Sequence, residues 1–190
     1  IFLMKTNKNF DHEELQNRLD LAAAYHLADR YGFDVIEDAS HAIGGYYQGA
    51  PVGNCSHSAI TVFSFHPVKI ITTGEGGLAT TNDPLLAQRM AELRSHGITK
   101  EVARFERPAP GPWSYEQQDL GFNYRLTDLQ AALGLNQLQR LNKIVAERQR
   151  LFEEYRKRFV GLPFHLLEIP QNVSSSVHLA VIRLDDPRPD

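Results

Sequence analysis

Cysteine is almost absent from this chain of 190 residues. Cys55 stands alone, which excludes an internal disulfide and a zinc cage made only of thiolates, and fits a reducing compartment. An excess of one charge is missing too. Lys and Arg total 20 against 23 Asp and Glu, a net charge of −3, so no basic surplus marks a nucleic-acid partner. No apolar run reaches the roughly 20 residues that a membrane-spanning helix needs. Ile1 to Phe10 has neither the basic head nor the small-residue cleavage site of a secretory leader. None of the eight histidines stands at helical zinc-ligand spacing. The run TTGEGG at 72–77 lacks the Lys-Ser/Thr of a nucleotide P-loop. What remains is an ordinary globular balance, 42% apolar and 23% charged. The chain opens on Ile1 and stops at Asp190, just after a strand-like run, and is expected to be a piece of a longer protein.

The periodicity predicts an α/β protein with a mostly parallel sheet. A helix is expected from His12 to Tyr31, closed by Gly32, followed by a short strand ending in Glu37-Asp38. Ala59 to Phe65 is nearly continuous in apolar and β-prone residues, as in a strand buried on both faces. A loop from His66 to Gly77 leads to a strand at Leu78–Thr81. Asp83-Pro84 then opens a helix to about Ser95. Residues 97–118, with Pro108, Pro110 and Pro112, read as a loop or flap. Thr127 and Gln130 make a capping box for one long helix to about Val160. Its stripe from Leu129 to Phe159 is either core or a dimer surface, and 153–158 a solvated charged face. A strand is expected over Val177–Leu184. Residues 1–125 read as part of a large domain, and 126–190 as a connecting helix with the start of a smaller one.

Chemistry concentrates in three segments. Asp38 and Lys69 both follow strand ends, where ligand crevices of open α/β sheets lie. A carboxylate facing a lysine across such a crevice suits pyridoxal 5′-phosphate (PLP). The amine condenses with the aldehyde as a Schiff base, and the acid keeps the ring nitrogen protonated. Ser64 offers a hydroxyl to the cofactor phosphate, and His41 a ring contact. Each has a plainer reading. Lys69 alone would be a surface lysine, Asp38 a turn acid, His41 a core histidine, and Cys55 a packed thiol. His66 shapes its loop, and the TTGEGG glycines let backbone pass close to the cofactor.

The segments EDASHAIGG, FSFHPVKIITTGEGG, RSHGITKE, YEQQDLGFNYRLTDLQAALGLNQL and SSSVHLAVIRL resemble the sugar-nucleotide aminotransferases of the DegT/DnrJ/StrS family, fold-type I PLP enzymes. The resemblance runs from about Leu21 to Leu184. It implies Lys69 as the Schiff-base lysine, Asp38 as the pyridinium partner, His41 at the ring and Ser64 at the phosphate. It further implies that Asn123, in GFNYR, reaches the neighbouring subunit's cofactor, and that His178 lies near the nucleotide-sugar site. The implied activity is transfer of an amine from L-glutamate to a UDP-linked 4-keto-6-deoxy sugar of the pseudaminic-acid type. The enzyme would be a cytoplasmic homodimer with shared active sites. Dehydratase relatives carry histidine in place of Lys69. The alternative is a PLP-binding member or fragment without turnover, since the family's glycine-threonine phosphate turn and ring-stacking aromatic would precede Ile1.

Overall fold

The structure is a computed structural model that describes residues 2–4 and 20–184. Strand β1 is Phe2–Met4 and helix α1 is Leu21–Tyr31. Asp20 caps α1 by accepting the Ala22 amide at 3.0 Å, and Gly32 ends it with φ +67°. The expected turns from His12 to Leu19 lie outside the described residues. The chain continues through β2 (Val35–Asp38), β3 (Tyr46–Tyr47), β4 (Ala50–Pro51), β5 (Ile60–Ser64) and β6 (Gly77–Thr80). Then come α2 (Pro84–Arg94), β7 (Ile98–Thr99) and β8 (Glu116–Gln117). Helices α3 (Asp128–Leu138) and α4 (Leu141–Arg158) precede β9 (Phe164–Leu166), β10 (Val173–Ser174) and β11 (Ile182–Leu184).

The main sheet has the order β1-β2-β5-β6. Among the described strands β2 and β5 run parallel, while β1 and β6 pair antiparallel at the two sides. This part of the sheet is therefore mixed where a mostly parallel one was expected. The reason lies in residues 65–76, which contain no helix, so the chain turns straight back beside β5. Strand β5 also departs from the expected burial. Thr61 and Phe63 are buried, but Val62 between them is 37% exposed, the alternation of a strand covered on one face.

The long C-terminal helix is two helices. Gln139 and Arg140 interrupt it, with Arg140 at ψ 0°. The capping box of Thr127 and Gln130 forms as expected. The break separates two kinds of surface. Val145 and Phe152 on α4 are buried, whereas Leu129 and Leu135 on α3 are 85% and 64% exposed. The charged face of α4 carries i,i+3 ion pairs, Glu153 with Arg156 and Glu154 with Lys157. The expected strand from Val177 is shorter, covering only Ile182–Leu184. Val177 has φ +51°, which no extended strand allows, and its side chain is buried with Phe152 and Leu166.

A second core cluster joins Ala39, Phe63, Phe65 and Ile71, with Leu141 and Ile144 of α4 against it. Gly44 touches α4 so closely that a Cβ there would stand 2.9 Å from Val145. The loop after β2 is thus seated on both the sheet and α4. No described helix is long and apolar enough to cross a membrane.

Candidate active site

Strands β2 and β5 end side by side, with Asp38 in register with Val62. Their carboxyl ends deliver two loops to one crevice. After β2, Ala39 donates its N–H to the Val62 carbonyl at 2.8 Å, and the chain then turns through Ser40 and His41. After β5, Phe65 donates to the Gly76 carbonyl and Thr73 to the Phe65 carbonyl, closing the 65–76 loop on itself. His66 shapes that loop, its Nδ1 accepting the Val68 amide at 3.4 Å and its carbonyl accepting the Lys69 amide at 2.9 Å.

The glycines of TTGEGG serve the loop's own packing. A Cβ on Gly76 would stand 2.4 Å from Thr73 Oγ1, and one on Gly77 2.8 Å from the Phe63 carbonyl. Gly134 of α3 adjoins Thr73 Cγ2, so α3 braces the loop. Cys55 is a half-buried thiol among Thr61, Thr80 and the Thr80 carbonyl, as expected of a packed group.

Asp38 is half-buried. Its Oδ1 accepts both the backbone N–H and the hydroxyl of Ser40. Burial pushes the carboxyl pKa up, but the Ser40 hydrogen bonds outweigh it and hold the group below the usual carboxylate range. No ion pair joins Asp38 to Lys69 among the described residues. Both act on His41 instead: burial and the Lys69 charge lower the imidazole's pKa, and Asp38 opposes them. His178 belongs to the same group. Its ring lies 4.2 Å from that of His41, tilted by 43°. Burial, His41, Lys69 and Arg148 all lower its pKa. Its Nδ1 is buried and meets no hydrogen-bond partner among the described residues.

His41 and His178 are thus in ring contact, within electrostatic reach of Lys69, and Asp38 acts on His41 as well. Ser64 ends β5 opposite Gly77, its Oγ accepting the His66 amide at 3.4 Å. Asn123 stands apart. It is exposed and bridges Ser95, where the 119–122 segment crosses the His96–Gly97 turn. That crossing is close enough that a Cβ on Gly97 would lie 2.0 Å from the Asp119 carbonyl. Three neighbours escaped the sequence reading. Ser40 had a signal, the Asp-x-Ser spacing of an Asx turn. Ser176, donating to the His41 carbonyl at 3.3 Å, and Arg148, donating to the Val177 and His178 carbonyls, had none.

The description of the DegT/DnrJ/EryC1/StrS aminotransferase family matches residues 17–189. A UDP-4-amino-4,6-dideoxy-N-acetyl-beta-L-altrosamine transaminase from Campylobacter jejuni is 38% identical over 169 residues, 88% of this chain and 42% of the relative. Among solved structures, PseC of Helicobacter pylori, an aminotransferase of pseudaminic acid biosynthesis, superposes with a TM-score of 0.78 at 33% identity. That match covers 88% of this chain and 42% of PseC. The PLP form of the sugar aminotransferase Spr1654 from Streptococcus pneumoniae superposes with a TM-score of 0.70 at 30% identity, over 84% of this chain and 39% of that one. The chain thus spans about two-fifths of the length of the relatives it matches.

Proposed function

The chain belongs to the DegT/DnrJ/EryC1/StrS aminotransferase family, whose members are PLP-dependent, and from this we propose that the full protein moves an amino group from L-glutamate to a UDP-linked 4-keto-6-deoxy sugar. The observation that carries the proposal is that Asp38, which ends β2, and Lys69, in the loop after the parallel strand β5, both act electrostatically on His41. The donor set suits the cofactor: a carboxylate held below its usual range, a primary amine, and the His41 imidazole between them. When bound, PLP supplies an electron sink for the bond-breaking at the substrate carbon.

Lys69 would hold the cofactor through Nζ and carry the proton to and from the reacting carbon. Asp38, kept anionic by Ser40, would face the ring nitrogen. His41 would lie against the ring, and the Ser64 hydroxyl would serve the phosphate. His178, in contact with His41, would meet the nucleotide sugar. Asn123 projects from an exposed loop, which suits a reach into a second subunit. Leu129 and Leu135 leave an apolar surface on α3 that a homodimer would cover. Residues 1–125 would form part of the PLP-binding domain and 126–190 the passage to a smaller one, in a cytoplasmic enzyme.

Borohydride reduction of the PLP-loaded full protein tests this reading. The cofactor adduct should map to the peptide containing Lys69 and vanish in Lys69→Ala. An adduct elsewhere, or none, refutes it. A PLP-binding protein without turnover is the second reading. It is separated by assaying glutamate-dependent amination of a UDP-keto sugar by product mass.

A further inference from the structure

His178 does not hold its own position. It follows Val177, a β-branched residue at φ +51°, where such side chains are genuinely uncommon. Three tethers keep the segment there, and two come from α4. Arg148 donates through Nη1 to the carbonyls of both Val177 and His178, at 3.1 and 3.3 Å. Gln149 Nε2 donates to the Ser175 carbonyl at 2.8 Å. From the other side Ser176, 1% exposed, donates to the His41 carbonyl. Arg148 takes part in no ion pair among the described residues, so its charge is turned on two backbone carbonyls flanking one imidazole. Such charge-assisted bonds are stronger than neutral ones.

We propose that Arg148 is a positioning residue for His178: it pins the strained turn through the Val177 and His178 carbonyls and so sets the imidazole against His41. The consequence for catalysis rests on the proposed sugar-nucleotide reading, in which His178 meets the acceptor. Arg148 then governs acceptor binding without touching the acceptor, and leaves the glutamate half-reaction alone. The charged and titratable groups facing His178 are His41, Lys69 and Arg148. Removing Arg148 subtracts one positive charge from that set.

The test compares Arg148→Met, Arg148→Lys and His178→Asn, with the double variant Arg148→Met/His178→Asn, in the full protein loaded with PLP. Two readouts are needed. The first requires no activity: the ring resonances of His178 and His41, followed by NMR through a pH titration. Arg148→Met should displace both sets and raise the His178 midpoint, and Arg148→Lys should displace them less. The second is kinetic. Arg148→Met should raise KM for the UDP-keto sugar about tenfold or more, the scale of a lost charge-assisted bond, with KM for glutamate unchanged. The double variant should resemble His178→Asn rather than multiply the two effects.

Unmoved His178 resonances in Arg148→Met overturn the proposal, as do multiplicative effects in the double variant. If Arg148→Met does not fold, Arg148→Lys decides by the same resonances: no displacement overturns the proposal. A wild-type protein that aminates no UDP-keto sugar sinks the functional reading alone, because the resonances still judge Arg148.

Discussion

The imidazoles of His41 and His178 pack 4.2 Å apart, one from the loop after β2 and the other from the turn after β10. Burial lowers the pKa of both, and Lys69 adds to the effect on each. A base whose folded pKa is depressed binds fewer protons folded than unfolded, so stability rises with pH through the window between the two values. The fold should therefore lose stability as pH drops below the unfolded value of about 6.5. NMR titration of the cofactor-free protein should give both rings midpoints below that value. In His41→Asn the His178 midpoint should rise, because a repelling neighbour is gone.

Asp38 titrates with the opposite protonation chemistry and the same direction of stability. Its folded pKa is lowered by Ser40, so its contribution is complete above the unfolded value of about 3.9 and is lost as pH falls through the depressed one. Ser40→Ala removes one of the two donors. It should cost about 1 kcal/mol at pH 7, measured by urea unfolding, and progressively less as Asp38 becomes protonated. An equal cost at both ends of the titration would detach Ser40 from the ionisation of Asp38.

Gly44 and Gly49 separate backbone strain from crowding. Both have positive φ, +78° and +79°. An added Cβ at Gly49 meets nothing within 4 Å among the described residues, whereas at Gly44 it meets Val145 at 2.9 Å and Leu141 at 3.1 Å. Gly49→Ala should cost about 1 kcal/mol from the backbone alone. Gly44→Ala should cost about 1–3 kcal/mol more, because α4 must move off the loop. Equal losses in thermal or urea unfolding would mean that α4 yields without penalty.

The proposed homodimer would cover the exposed leucines of α3. Leu129→Glu and Leu135→Glu place charge on side chains that are 85% and 64% exposed among the described residues. Each should shift the full protein from dimer to monomer in light scattering, with circular dichroism unchanged. A dimer of undiminished stability would place the interface elsewhere.

Local signals in the chain carried well into three dimensions where they concern neighbours in sequence. Asp83 at a helix start, Gly32 at a helix end, and Thr127 with Gln130 all did what their side-chain chemistry dictates, whereas Asp20, expected inside a helix begun at His12, caps one that starts at Leu21. The pairing of Asp38 with the end of β5 was legible too, because strand ends in a parallel pair lie together whatever the loops do. The helix break at Gln139-Arg140 was not, since the apolar stripe continues across it and only the different burial of α3 and α4 tells them apart. The strand-like run Val177–Leu184 likewise favoured a strand, but burial of Val177 against Phe152 and two bonds from Arg148 hold a left-handed backbone that local preference opposes.

The motifs by themselves determined the family, that of the DegT/DnrJ/EryC1/StrS aminotransferases, and proposed an amine and a carboxylate after strand ends as its working pair. Tertiary structure alone decided which groups tune them. Ser176, Arg148 and the His41–His178 contact join segments far apart in the chain, and no spacing in a sequence encodes a hydrogen bond that only packing of α4 against two loops brings within reach.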